Sequence, residues 1–190
     1  AHGQPLAITF RNVVALPDTS VDQYGQSFPI AGLSGIFCST AVNLSSNTLW
    51  AVMDNSNKIV RFSVTVAPDA TVTSTTMHNG ITLAEARDFE GIANLGAGFA
   101  FLAEEGTPAI RSYFLNTGGT GLPLETPTVY ASIRPNFGFE SLTHEQFGFR
   151  LWTANEEALT VDGPVSSSTA GTVVRLLRYD FIGNQFTPAA

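Results

Sequence analysis

The apolar positions of this chain fall in short runs broken by Gly, Pro, Asn and Asp, the pattern of strands joined by tight turns. Lys58 to Val66 and Thr71 to Thr76 alternate or run β-branched, which predicts strands. Leu83 to Asp88 is the one helix-like stretch, and it is too short to hold a helix by itself. After an insertion from Gly163 to Gly171, strand-like sequence resumes at Thr172 and runs to Phe181.

These runs repeat. Leu49-Trp50-Ala51-Val52-Met53-Asp54, Ala100-Phe101-Leu102-Ala103-Glu104-Glu105 and Leu151-Trp152-Thr153-Ala154-Asn155-Glu156 share one register, with a large aromatic four residues before an acid and the acids 51 residues apart. Upstream of each run, Leu33-Ser34-Gly35-Ile36, Phe89-Glu90-Gly91-Ile92 and Phe139-Glu140-Ser141-Leu142 share the order apolar, Ser or Glu, small, aliphatic. Downstream, Ile59-Val60-Arg61-Phe62 matches Ile110-Arg111-Ser112-Tyr113, and Val161 takes the Ile position of the third copy.

Several short strands in ~50 residues make a unit the size of a β-propeller blade. The expected fold is therefore all-β, a β-propeller in one domain over 1–190, with repeats near 33–83, 84–134 and 135–181. That is about three to four blades, where a ring takes about four to eight. The ring is expected to be incomplete, with a sheet face uncovered and a missing C-terminal half or a second chain completing it. Trp50, Phe101 and Trp152, flanked by apolar residues, are expected to be inter-sheet core.

Composition narrows the partners. The chain is 44% hydrophobic and 13% charged, a folded rather than a disordered balance. A net charge of −7, with Lys58 the single lysine, argues against nucleic acid. The apolar runs are far too short to span a bilayer. Cys38 stands alone, which excludes an internal disulfide and a thiolate metal site, and it is expected to be buried as a small hydrophobe. The opening Ala1-His2-Gly3-Gln4-Pro5 lacks a Met and a leader, as a mature chain after signal cleavage or a trimmed one does. Together with the scarcity of Lys and Cys, this leans towards a secreted, periplasmic or cell-surface protein, in which Asn43-Leu44-Ser45 would be a glycosylation sequon only in a eukaryotic route.

The repeated elements, in order, are Gly32-Leu33-Ser34-Gly35-Ile36, Trp50 to Asp54, Asp88-Phe89-Glu90-Gly91-Ile92, Glu104-Glu105 with Pro108 and Ile110, Gly138-Phe139-Glu140-Ser141-Leu142, Asn155-Glu156-Glu157-Ala158-Leu159 with Asp162, and Arg175 to Asp180. This series resembles the phytase-like propeller family named for the "esterase-like activity of phytase", from Leu33 to Asp180. The chain is similar to the N-terminal part of its members, which are exported bacterial proteins. Ser141 departs from the family pattern, which more often has Gly there. The resemblance supports the fold more strongly than the chemistry.

Innermost propeller strands line a central channel, so acids repeated at one blade position form a ring at its mouth. Glu90 and Glu140 are placed on one ring, with Ser34 as its uncharged member; Asp54, Glu105 and Glu156 form another. Facing carboxylates raise one another's pKa unless a cation lies between them. Calcium suits such a set because it takes six to eight oxygens, whereas His2, His78 and His144 show no zinc-ligand spacing. The metal candidates are thus Glu90, Glu140, Glu105, Glu156 and Asp54.

The functional expectation is a calcium-dependent phosphoester hydrolase acting on a small phosphorylated substrate, with Glu105 and Glu156 as candidate catalytic bases and Arg87, Arg111 and Arg134 as candidate phosphate contacts. The alternative is a non-catalytic, calcium-stabilised propeller acting as an extracellular binding or scaffold module. Glu104, Glu157 and Asp162 are expected to be solvated loop acids, and His144 with Glu145 a surface pair. There is no Gly-x-Ser-x-Gly, and Gly118-Gly119-Thr120-Gly121 reads as a turn because it lacks the Lys of a phosphate loop.

Overall fold

A computed structural model describes residues 7–38, 46–96, 98–145 and 149–189. The sequon Asn43-Leu44-Ser45 and the opening Ala1 to Pro5, with His2, lie outside them. Strands β1 (Thr19–Val21) and β2 (Ser27–Pro29) form a hairpin. Three four-stranded antiparallel meanders follow: β3 (Leu33–Cys38), β4 (Ser46–Met53), β5 (Ser56–Val66) and β6 (Val72–Arg87); β7 (Phe89–Gly96), β8 (Phe99–Glu104), β9 (Ala109–Phe114) and β10 (Thr120–Pro123); β11 (Thr143–Glu145), β12 (Arg150–Ala154), β13 (Leu176–Ile182) and β14 (Gln185–Pro188). A single 3₁₀ turn, Thr128–Ser132, separates the second sheet from the third, and no α-helix occurs among the described residues.

Turn chemistry explains the meanders. Gly183 and Asn184 both take positive φ (58° and 67°) between β13 and β14, as a two-residue hairpin turn of the primed type requires. The Gly118 turn, also at positive φ, connects β9 to β10 and accepts a hydrogen bond from the Ala84 amide of β6. Leu83 to Arg87 is the end of the sixteen-residue β6 and not a helix; Leu83 faces the core there, which overrides the local helical preference.

The sheets stack as layers, and period-two alternation decides which side chain meets which neighbour. Val52 and Ile59 of the first sheet pack with Phe89, Ile92, Leu102 and Tyr113 of the second. From the second sheet's other face, Ala93, Phe101, Ala103 and Ile110 meet Phe139, Leu151, Leu177 and Tyr179 of the third. The middle sheet is thus buried on both sides, and Ala100 to Ala103 read as a continuous apolar run. The face of the first sheet turned away from the second, with Ala51, Met53, Val60 and Phe62, is covered by Leu16, Phe28 and Ile30 of the N-terminal segment. The N-terminal segment thus covers the sheet face at this end, while no further sheet covers the outer face of the third among the described residues.

Trp50 is half-buried against the first inter-sheet core, stacked under Arg61 at 5.0 Å, and Phe101 is buried in the second. Trp152 departs from the expectation: like Trp50 and Phe101 it faces in the direction of a following sheet, but no sheet follows the third among the described residues, so it lies on the outer face beneath Arg178, 5.7 Å from the ring centre. Cys38 also departs from it, being exposed at the end of β3.

The first strands of the three sheets approach very closely. A Cβ on Gly35 would stand 2.7 Å from the Glu90 carbonyl oxygen, and one on Gly91 would stand 2.5 Å from the Leu142 amide nitrogen. Backbone therefore abuts backbone from β3 to β7 and from β7 to the Gly138–Leu142 segment, which only glycine permits. Ser141, the residue equivalent to Gly35 and Gly91, is exposed, so its side chain meets no such neighbour.

Candidate metal centre

The strand ends bring six carboxylates to one rim. Asp54, Glu105 and Glu156 follow the second strands β4, β8 and β12, while Asp88, Glu90 and Glu140 belong to the first-strand elements. A repeated backbone bond joins the two sets: the amides of Asp54, Glu105 and Glu156 donate to the carbonyls of Gly32, Asp88 and Gly138 at 2.7, 2.9 and 3.0 Å. The Gly138 amide also donates to Glu105 Oε1 at 3.3 Å, tying the second sheet to the third.

The six fall into two triplets, Asp54–Asp88–Glu90 and Glu105–Glu140–Glu156. Within each, one carboxylate oxygen from every member lies within 4.8 Å of the others, so each triplet can hold a metal ion. All five acids singled out from the sequence are in these groups, but not in the two rings imagined for them: Glu90 sits with Asp54, and Glu140 with Glu105 and Glu156. Ser34, the uncharged first-strand member, donates its hydroxyl to Glu90.

Asp88 is not among the acids that the sequence repeat marks. Its signal is weak, because the equivalent positions in the other two copies are Gly32 and Gly138. Only the shared backbone bond shows that this position adjoins the acid of the following strand.

The proton affinities record the crowding. Asp88 is pushed up to about 7, first by a hydrogen bond shared with Asp54, then by burial and by Glu105. Burial, followed by the charges of Glu90, Glu105 and Glu156, pushes Glu140 up to about 8. Glu90 is raised as well, mainly by burial, with the Ser34 hydroxyl acting against it. Charges from one triplet thus reach the other, and no Lys or Arg is paired with any of the six among the described residues. An all-oxygen donor set with uncompensated negative charge fits a hard divalent cation such as calcium and does not fit zinc.

Glu105 also lines a cleft of about 510 Å³, whose far wall is the 3₁₀ turn and the loop after it, including Thr128, Tyr130 and Arg134. Of the three candidate arginines, Arg87 and Arg111 are held by Glu104, at 3.2 and 2.8 Å. Arg134 donates instead to the carbonyls of Ala158 (2.9 Å) and Gly163 (2.6 Å).

Three acids expected in solvent are not there. Glu104 is 1% exposed and also accepts from the Tyr113 hydroxyl at 2.9 Å, because its position in β8 points into the core between the first two sheets. Glu157 is buried under Ser166 of the insertion (2.6 Å) and the Ala158 amide. Asp162 is clasped by Arg175 through two bonds of 2.6 Å. His144 is half-buried on β11 and its pKa is lowered by that burial, while Glu145 pairs with Arg150.

Among the described residues no helix is long and apolar enough to cross a membrane. The family model described as "Phytase-like: Esterase-like activity of phytase" matches residues 29–189. No curated protein matches the chain.

Proposed function

The chain belongs to the phytase-like family, and on that premise we propose that it is a calcium-dependent phosphoester hydrolase, exported from the cell, whose three sheets are successive blades of a β-propeller completed by further polypeptide. The reading is carried by one observation: Glu105 belongs both to the Glu105–Glu140–Glu156 triplet and to the lining of the cleft, so a cation-holding group and a ligand-sized space share a residue. The stacking of the sheets, with their first strands in backbone contact, supports the blade arrangement.

Bound calcium would neutralise substrate phosphate and lower the pKa of a coordinated water. The residues of the chain supply the rest. Asp54, Asp88 and Glu90, with Glu105, Glu140 and Glu156, would hold the ions. Glu105 faces the cleft and Glu156 is exposed beside it, so either can take a proton from an attacking water as a general base. The domain read from the repeats, 33–83, 84–134 and 135–181, is retained as the unit of this proposal.

Phosphate release from phytate and from an aryl phosphate, with calcium and again with chelator, tests it. Calcium-dependent release that falls at least about a hundredfold in Glu105→Gln is the expected result. No release from calcium-loaded protein would leave the second reading, a calcium-stabilised binding or scaffold module. The bond from the Gly138 amide to Glu105 favours that second reading, since it gives the acid a task in holding sheets together. In that case a chelator lowers the melting temperature while no substrate turns over.

A further inference from the structure

The first and third sheets carry the same pair of side chains at the same place in the ladder. Trp50 lies opposite Arg61 across β4 and β5, and Trp152 lies opposite Arg178 across β12 and β13. In each pair the guanidinium stands over the indole ring, 5.0 Å and 5.7 Å from its centre. The second sheet has Phe101 and Ser112 there and builds no such stack.

What answers the two stacks differs. In the third sheet both donors meet carboxylates: Arg178 Nη2 donates to Asp180 at 3.0 Å, and the Trp152 indole N–H donates to Glu145 at 3.4 Å. The place of Asp180, two residues beyond the arginine, is held in the first sheet by Ser63. A hydroxyl does not neutralise a guanidinium, and Ser63 is bonded instead to His78 Nε2 at 2.6 Å and to Thr48 at 3.2 Å. Arg61 forms no ion pair and no hydrogen bond among the described residues, and its Nε and the Trp50 Nε1 are buried without an acceptor. Buried donors left in this way are costly unless something from outside completes them. Arg11 and Arg134 also lack an ion pair; Arg61 is set apart by a copy of its own surroundings in which the missing group is present.

The stack is open on its outer side. Arg61, Ser63 and His78 are half-buried, and Thr76, opposite Ser63 on the edge strand β6, is exposed. Trp50 lies four residues before Asp54, about 13 Å along the strand, so this place is separate from the acid rim.

We infer that the Arg61–Trp50 stack is a binding site for a carboxylate-bearing, hydroxylated small molecule, whose carboxylate takes the part that Asp180 plays in the third sheet. The guanidinium fork donates two parallel N–H bonds to a planar carboxylate, and Ser63, Thr48 and His78 offer partners for hydroxyls beside it. Neither a metal nor a bond-breaking step is involved, so the site stands whether or not the chain is a hydrolase.

Titration with glucuronate in the presence of chelator, followed by amide and indole N–H chemical shifts, tests the site, with glucose as the uncharged control. The Trp50 indole signal and the amides of Arg61 and Ser63 are expected to move with glucuronate and not with glucose. Arg61→Gln is expected to weaken glucuronate binding at least about tenfold, because it removes bonds between charged groups. Ser63→Asp supplies the third sheet's carboxylate from within. It keeps an acceptor for His78, and it is expected to hold or raise the melting temperature while weakening glucuronate binding as much as Arg61→Gln does. If Arg61→Gln does not fold, the Ser63→Asp titration decides. No binding of glucuronate by the wild type, equal binding of glucose, or binding undiminished in either folded variant overturns the inference.

Discussion

The Glu105 amide donates to the carbonyl of Asp88 at 2.9 Å, and the same bond joins Asp54 to Gly32 and Glu156 to Gly138. It fastens the residue leaving each second strand to the residue entering the first strand of the same sheet. An acid with a 51-residue period and an acid from the upstream element thereby reach one rim.

Crowding at that rim makes the metal-free protein pH-sensitive. Glu140 moves from 4.5 to about 8 and Asp88 from 3.8 to about 7, so between the lower and upper values the folded chain holds more protons than the unfolded one. Stability is then lost as pH rises through these windows. The melting temperature in chelator is expected to fall from pH 5 to pH 8.5, and Glu140→Gln to flatten that fall. A melting temperature that rises with pH over this range would refute the electrostatic account.

Calcium should reverse the penalty. A ligand bound only by the folded state adds about 2.7 kcal/mol at a concentration about a hundred times Kd. Calorimetric melting with calcium is expected to show a higher transition and a weaker pH dependence than with chelator. Equal transitions would remove calcium from the rim.

Asp88 tests the sixth acid. Asp88→Asn is expected to weaken calcium binding at the Asp54–Glu90 triplet by at least about tenfold, or ~1.4 kcal/mol. Isothermal titration compares it with Asp69→Asn, an exposed loop acid that should change nothing.

Gly91 is a packing test free of electrostatics. Its Cβ would meet the Leu142 amide nitrogen and the Ser141 carbonyl carbon, backbone atoms that cannot swing aside. Gly91→Ala is expected to cost about 1–3 kcal/mol in urea unfolding. Ser141→Ala, at the exposed equivalent position, should lose only a bond of about 1 kcal/mol or less.

Glu104 separates stability from metal binding. Truncating it to Ala strands Arg111 and the Tyr113 hydroxyl at a buried point, while Arg87 keeps its pair with Glu85, with an expected loss of about 3–5 kcal/mol. Its neighbour Glu105 remains, so calcium affinity of the folded fraction should be unchanged. A large loss of affinity would place Glu104 in the metal site.

The sequence alone determined the strands, their repeat and five of the six acids, because alternation and turn residues act over a few positions and the 51-residue spacing makes the copies comparable. It also carried the family resemblance, residue by residue from Leu33 to Asp180. What only the tertiary structure decided depends on which face a strand turns inward and on contacts between distant residues. Glu104 and Glu105 are adjacent, yet one is sealed under two arginines and the other faces a cleft. Trp152 faces the same way as its copies but meets no following sheet among the described residues, and Cys38 lies exposed at a strand end. The grouping of Glu90 with Asp54 and Asp88, rather than with Glu140, and the backbone contacts at Gly35 and Gly91 are relations between distant residues that no local pattern encodes.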